Sequence, residues 1–151
     1  MTAKLLDRRT LLLGLAAGMA LPRRPAFAQA YIFYRNPGCG CCHSWAQQMN
    51  AAGFSIDLQD TPDLDSMHAK FGVAEPLRGC HAGLIADYVI EGHVPPADVK
   101  RLLAERPKAL GLAVPGMPAG SPGMESGDTI EPYAVLLFQA DGSTIEFARY
   151  G

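Results

Sequence analysis

Three of the four cysteines in this chain lie within four positions, as Cys39, Cys41 and Cys42 of the segment NPGCGCCHSW. A single cysteine commonly fills space in a core, but three crowded thiols are hard to explain by packing. Thiols at this density are candidates for disulfide formation, thiol exchange, haem attachment or metal binding. The fourth cysteine, Cys80, lies in the segment LRGCHAG.

One interpretation is thiol–disulfide exchange. Cys39 and Cys42 form a C-x-x-C pair, and a helix N-terminus lowers the pKa of one thiol in such a pair. This hypothesis describes a metal-independent oxidoreductase with Cys39 and Cys42 as the catalytic residues. It gives Cys41 no role. A structural disulfide from the cluster to Cys80 leaves two further thiols to explain.

A second interpretation is haem attachment, because Cys39, Cys42 and His43 match the C-x-x-C-H pattern. Met117 or Met124 would then be an axial ligand. A third cysteine inside the motif and the alternation of strands and helices both count against a small cytochrome.

Metal binding gives every cysteine a role. Soft thiolates favour Cu(I), zinc and iron–sulfur clusters, and thiolates this crowded suit bridging between Cu(I) ions better than a single tetrahedral zinc. Cys80 would complete a four-thiolate site with Cys39, Cys41 and Cys42. His81, next to Cys80, and the thioethers of Met117 and Met124 are further candidate ligands.

The elements that must position these residues alternate along the chain. Apolar periodicity predicts the order β-α-β-α-β-β-α, and the cysteine cluster lies between the first strand and the first helix. The predicted segments are AYIFYR, the helix through Trp45 and Met49, FSIDL, the helix from Pro62 to Phe71, HAGLIADYVIEGHV as two strands, and PPADVKRLLAERP.

This order predicts an α/β, thioredoxin-like core in which the start of the third strand lies beside the first strand–helix loop. Residues 109–128 are rich in Gly and Pro, and we expect an irregular loop that carries Met117 and Met124 over the site. The final segment predicts an added C-terminal β-hairpin around the turn Asp141-Gly142.

The remaining histidines and large side chains have simpler predicted roles. His93 precedes a proline pair, and a structural role is the first expectation, with a role in the site as the alternative. His68 is expected on an exposed helix face. Met49 and Met67 are predicted in the core, and Trp45 is predicted to pack the first helix near the site.

Residues 1–28 have the features of an export signal. Arg8 and Arg9 precede an apolar run from Leu11 to Leu21, and Ala26-Phe27-Ala28 suits signal peptidase. The arginine pair resembles a twin-arginine signal, with an ordinary secretory signal as the alternative. Cleavage after Ala28, or else after Ala30, would leave one domain at residues 29–151.

Signal removal changes the charge balance. It takes five of the 13 Lys and Arg residues and one of the 15 Asp and Glu residues, so eight basic and 14 acidic residues remain, a net charge of about −6. A small acidic domain of this kind offers no basic patch for nucleic acid or anionic lipid. No other segment is long enough to span a membrane.

Three blocks of the chain resemble a known family. The chain is similar to the CopG-like periplasmic copper-resistance proteins from about Tyr31 to Tyr150. The blocks that carry the resemblance are NPGCGCCHSWAQQMNAAGF, LRGCHAGLIADYVIEGHVPPADVKRLLAERP and GLAVPGMPAGSPGME. The resemblance implies a thioredoxin-like fold and a polynuclear Cu(I)–thiolate site with Cys39, Cys41, Cys42 and Cys80 as ligands. It also implies a role in copper tolerance as a copper-linked oxidoreductase, with copper ions and other periplasmic copper-handling or redox proteins as partners. Whether the protein catalyses or only sequesters stays open.

Overall fold

The computed structural model describes residues 30–151, so the predicted export signal lies outside the described residues. None of the helices in this part of the chain combines the length and apolarity that a membrane span requires. The elements, in chain order, are β1 (Tyr31–Arg35), α1 (Gly40–Ala51), β2 (Ile56–Asp60), α2 (Leu64–Phe71), a 3₁₀ turn (Glu75–Leu77), β3 (His81–Ile85), β4 (Tyr88–Glu91), α3 (Pro96–Glu105), β5 (Gly111–Ala113), β6 (Tyr133–Phe138) and β7 (Thr144–Tyr150).

The seven strands form one mixed sheet in the order β2-β1-β3-β4-β5-β6-β7. β1 pairs with β2 in parallel and with β3 in antiparallel orientation, and β3 and β4 form a hairpin. The predicted order β-α-β-α-β-β-α and the added C-terminal hairpin are therefore confirmed. In register, His81 at the start of β3 lies opposite Arg35 at the end of β1, which brings Cys80 beside the loop that leads into α1.

Alternate residues of the strands build a core on each face of the sheet. The larger core packs Phe33, Ile90 and Leu112 against Trp45 and Met49 of α1, with α3 completing it. The smaller core lies on the other face, where α2 ends and where Val89, Ala113 and Phe138 meet. The predicted packing of Trp45 is confirmed, because its side chain has no exposed surface.

Three expectations from the sequence are wrong. Residues 109–128 are not irregular throughout, since β5 joins β4 to β6 and makes the hairpin part of the central sheet. The three residues of β5 are too few to show the alternation of apolar and polar residues that indicates a strand. Gly111 passes so close to Val89 that a Cβ on Gly111 would lie 1.9 Å from the Val89 carbonyl oxygen. His68 is buried rather than exposed, and Met67 beside it is only half-buried.

Candidate metal centre

The cysteine cluster begins where β1 ends and α1 starts. Cys39 is the N-cap of α1, and its sulfur accepts a hydrogen bond from the Cys42 amide at 3.3 Å. The turn before it is closed by the Cys39 amide, which donates to the Asn36 carbonyl at 3.2 Å, with Gly38 at a φ of 74°. This capping explains why the three thiols gather at a helix N-terminus, where amides and the helix dipole favour thiolate.

Cys80 joins these three sulfurs from the residue that precedes β3. Its Sγ lies 3.2 Å from Cys42 Sγ and 3.8 Å from Cys41 Sγ, and Cys41 Sγ lies 3.4 Å from Cys39 Sγ. All four sulfurs fall within 4.8 Å of one another, which is close enough to hold a metal ion. Cys42 and Cys80 are buried, whereas Cys39 and Cys41 are half-buried and reach toward solvent.

Cys39 and Cys42 are joined by a disulfide, and Cys41 and Cys80 are free thiols. In this oxidised form two of the four sulfurs are not available as thiolates. The free thiols flank the disulfide, because Cys41 lies against Cys39 and Cys80 lies against Cys42. Reduction of this disulfide would leave four thiols together at this end of the sheet.

Two histidines extend the donor set beyond the cysteines. Cys80 Sγ lies 3.1 Å from His93 Nε2 and 3.6 Å from His81 Nδ1, and these three residues form a second group whose ligand atoms lie within 4.8 Å. Cys80 belongs to both groups. The Trp45 ring covers His81 with centroids 4.2 Å apart, and the His81 and His93 rings meet edge to face at 5.0 Å.

Burial controls the protonation of this region. Burial, and then the neighbouring Cys41, raises the pKa of the Cys80 thiol to about 12. Burial, and then His93, holds the pKa of His81 well below its usual value, and burial also lowers the pKa of His93. Both imidazoles are thus neutral at neutral pH, the form that binds metals. His93 is oriented by the Pro122 carbonyl, which lies 2.8 Å from Nδ1 and leaves Nε2 facing Cys80.

The glycine- and methionine-rich loop covers the first turn of α1. A Cβ on Gly123 would lie 2.6 Å from the Cys41 carbonyl oxygen, so only glycine permits this approach. Gln48 on α1 donates to Glu125 Oε1 at 2.7 Å, which ties the loop to the helix. Met124 is half-buried next to Gly123, whereas Met117 is 53% exposed. Of the two predicted thioether ligands, Met124 therefore adjoins the residue that packs on α1, whereas Met117 is largely exposed to solvent.

The haem hypothesis is not favoured by this geometry. Cys42 has no exposed surface against which a porphyrin could lie. His43 points to the exposed face of α1, where its Nε2 contacts Gln47 at 3.1 Å. The two sulfurs and the imidazole of the C-x-x-C-H pattern thus face different sides of the helix.

Two residues near the cysteine cluster, His93 and Glu91, were not predicted from the sequence as first candidates for the site. A structural role was the first expectation for His93, with a role in the site as the alternative, and its ring contacts Cys80. Glu91 drew no prediction, yet it is completely buried and accepts a hydrogen bond from the Gly79 amide, next to Cys80. The signal was present in the segment YVIEGHV, where a carboxylate and an imidazole two positions apart interrupt an apolar run.

Comparison with known proteins identifies a matching family model and two similar solved structures. Residues 77–124 match a family described as a protein of unknown function, DUF411, and no curated protein matches the chain. A solved structure titled copper resistance protein copG, Form 1, superposes with a TM-score of 0.76 and 39% sequence identity, over 80% of this chain and 96% of that chain. Form 2 gives a TM-score of 0.76 and 38% identity over 81% and 98%. This chain belongs to the family of the CopG copper resistance proteins.

Proposed function

We propose that the protein binds Cu(I) at Cys39, Cys41, Cys42 and Cys80 in the periplasm and contributes to copper resistance as a copper-linked oxidoreductase. The observation that carries the proposal is the convergence of four cysteine sulfurs within 4.8 Å. Similarity to structures of a copper resistance protein supports copper as the metal. The export signal predicted at residues 1–28 supports a periplasmic location.

The donor set is better suited to several Cu(I) ions than to one zinc ion. Cys41 lies between Cys39 and Cys80, at 3.4 Å and 3.8 Å, so each of its neighbours can share a metal with it. Thiolates favour Cu(I), and neutral imidazoles at His81 and His93 can complete its coordination at the Cys80 side. Met124 is a candidate soft ligand from the loop, and Met117 is a weaker one.

The dithiol and the disulfide differ by two electrons, which is the basis for the redox part of the proposal. When the Cys39 and Cys42 thiolates join in the S–S bond, they release two electrons, and two Cu(II) ions can take these to become two Cu(I) ions. A thiol reductant in the same compartment would restore the dithiol. Other periplasmic copper-handling or redox proteins are the expected partners for these two exchanges.

Anaerobic loading of the reduced protein, purified from the periplasm of a bacterial host, tests the copper site. We expect more than one tightly held Cu(I) per chain, with binding weakened by Cys41→Ser and by Cys80→Ser. Less than one copper per chain, or unchanged binding in both variants, would contradict the proposal. His43→Ala, on the exposed face of α1, is the matched control and should bind copper like the parent.

A separate experiment tests the redox step. Reduced protein is mixed with Cu(II) without oxygen, and the Cu(II) signal is followed by electron paramagnetic resonance while free thiols are counted. We expect one Cu(II) to be reduced for each thiol lost, and Cys39→Ser or Cys42→Ser to abolish the matched loss. Loss of Cu(II) signal without loss of thiols would mean binding and not reduction.

The Cys39–Cys42 disulfide also favours a second candidate, a metal-independent thiol–disulfide oxidoreductase. In that case the metal-free protein reduces or isomerises disulfides, and the activity survives Cys80→Ser. Under the copper proposal, the metal-free protein has little such activity. A disulfide reductase assay of the metal-free parent and of Cys80→Ser separates the two.

A further inference from the structure

Glu91, at the end of β4, is a completely buried carboxylate. Its Oε1 accepts a hydrogen bond from the Gly79 amide at 2.6 Å and lies 3.2 Å from Nε2 of His68, which is only 2% exposed. An apolar residue of similar volume commonly stabilises a buried position at least as well as a buried polar pair does. Stability alone is therefore a weak explanation for the His68–Glu91 contact.

The hydrogen bond from Gly79 places Glu91 next to the cysteine cluster, because Gly79 immediately precedes Cys80. Three chain segments meet around the carboxylate. A Cβ on Gly79 would lie 3.0 Å from Gly92 Cα and 3.4 Å from both Glu91 Oε1 and the Gly116 carbonyl oxygen. The Gly116 amide in turn donates to the Arg78 carbonyl at 3.2 Å. The Glu91 side chain thus sets the spacing between the strand end and the peptide that leads into Cys80.

Helix α2 holds the same segment at a second point. Asp65 Oδ1 lies 3.7 Å from His68 Nδ1 and accepts a hydrogen bond from Arg78 Nη1 at 3.0 Å. Arg78 precedes Gly79, so residues 78–80 are tied to α2 through Asp65 and to β4 through Glu91. These ties reach Cys80 through the backbone, whereas Cys39, Cys41 and Cys42 are held by the first turn of α1.

We propose that Glu91, supported by His68, is a positioning residue that holds Cys80 at the distance from the α1 thiols that shared copper ligation requires. This inference rests on the proposed copper site. Glu91 contacts no sulfur itself, and it acts through the Gly79 amide. This role requires only a side-chain oxygen at position 91 that accepts the hydrogen bond from the Gly79 amide. The neutral amide of a glutamine at position 91 keeps such an oxygen.

The test compares Glu91→Leu, Glu91→Gln and Val89→Ala in the full reduced protein. Leucine removes the acceptor, glutamine keeps it, and Val89 is a buried residue on the same strand and face that belongs to the smaller core. Cu(I) affinity is measured by competition with a chromophoric chelator. We expect Glu91→Leu to weaken binding about tenfold, as loss of an outer-shell partner commonly does, and the other two variants to bind like the parent. His68→Leu should weaken binding in the same direction by less, and it serves if Glu91→Leu does not fold.

A second readout does not depend on copper. In the metal-free protein, hydrogen exchange at the Gly79 amide should speed up in Glu91→Leu and stay near the parent rate in Glu91→Gln. Equal copper affinity in Glu91→Leu and the parent, or equal weakening in Glu91→Gln or Val89→Ala, would overturn the positioning role. If the parent itself binds no Cu(I), the proposed function fails, and the Gly79 exchange rates alone decide whether Glu91 holds the peptide before Cys80.

Discussion

The cysteine end of the sheet and the C-terminal hairpin both bury polar side chains, but they differ in whether the buried polar atoms have hydrogen-bond partners. At the hairpin, the Tyr150 hydroxyl donates to Asp98 Oδ2 at 2.7 Å, and Tyr133 stacks on Tyr150 with centroids 5.0 Å apart. At the cysteine end, within residues 30–151, buried polar atoms without a hydrogen-bond partner include His81 Nε2 and Glu91 Oε2. Unpaired buried groups cost stability, and proteins concentrate them at functional sites.

This difference indicates that the two regions have separate tasks. The hairpin extends the sheet through β5 and packs Tyr133, Val135 and Leu137 into the larger core, so it stabilises the fold. The cysteine end instead brings sulfur and imidazole donors within 4.8 Å of one another, close enough to hold a metal ion. Substitutions at one region should therefore change copper binding, and substitutions at the other should change stability.

The largest effect is expected from Cys80→Ser, because Cys80 belongs to both donor groups. We expect Cu(I) affinity to fall at least about 100-fold, equivalent to about 2.7 kcal/mol. Thermal unfolding of the metal-free variant should stay close to that of the parent. The measurement is chelator competition followed by a thermal melt of the same samples. A melt that collapses along with the affinity would contradict the separation of the two regions.

A smaller loss is expected from Cys41→Ser. Cys41 is half-buried and bridges the cluster by its contacts with Cys39 and Cys80, so its loss should lower the number of copper ions per chain and weaken those that remain about tenfold. The Cys39–Cys42 disulfide should still form, which thiol counting under oxidising conditions checks. Full copper loading of this variant would show that the metal does not need the bridging thiol.

The hairpin supplies the opposite test. Tyr150→Phe removes the hydroxyl that donates to Asp98, and Asp98 is only 5% exposed. Loss of a hydrogen bond to a carboxylate should lower the free energy of unfolding by about 1.5 kcal/mol, measured by urea denaturation of the metal-free protein. Copper stoichiometry and affinity should not change. A copper defect in Tyr150→Phe would mean that the hairpin also shapes the site.

The smallest effects are expected from the two methionines. Met124 adjoins Gly123, which packs on the Cys41 carbonyl, so Met124→Leu should weaken Cu(I) binding about threefold, or about 0.7 kcal/mol. Met117 is 53% exposed, and Met117→Leu should bind copper like the parent. Chelator competition on both variants gives the comparison. An equal loss in both would show that the loop closes further over bound copper than its position here indicates.

The sequence predicted the order of the elements because each carries a clear apolar period. It also predicted that Cys80 meets the cluster, since the strand order places the start of β3 next to the end of β1. It could not predict β5, whose three residues are shorter than any period. The burial of His68 was also missed, because its partner Glu91 comes from a strand 23 positions later and no local pattern links the two.

In the proposed copper site, several Cu(I) ions share the four thiolates. X-ray absorption spectroscopy of the anaerobically loaded protein tests it most directly, because it reports both the ligand atoms and neighbouring metals. We expect copper surrounded mainly by sulfur, together with a short copper–copper distance that is lost in Cys41→Ser. Copper bound mainly by nitrogen and oxygen, or a single copper with no metal neighbour, would contradict the account.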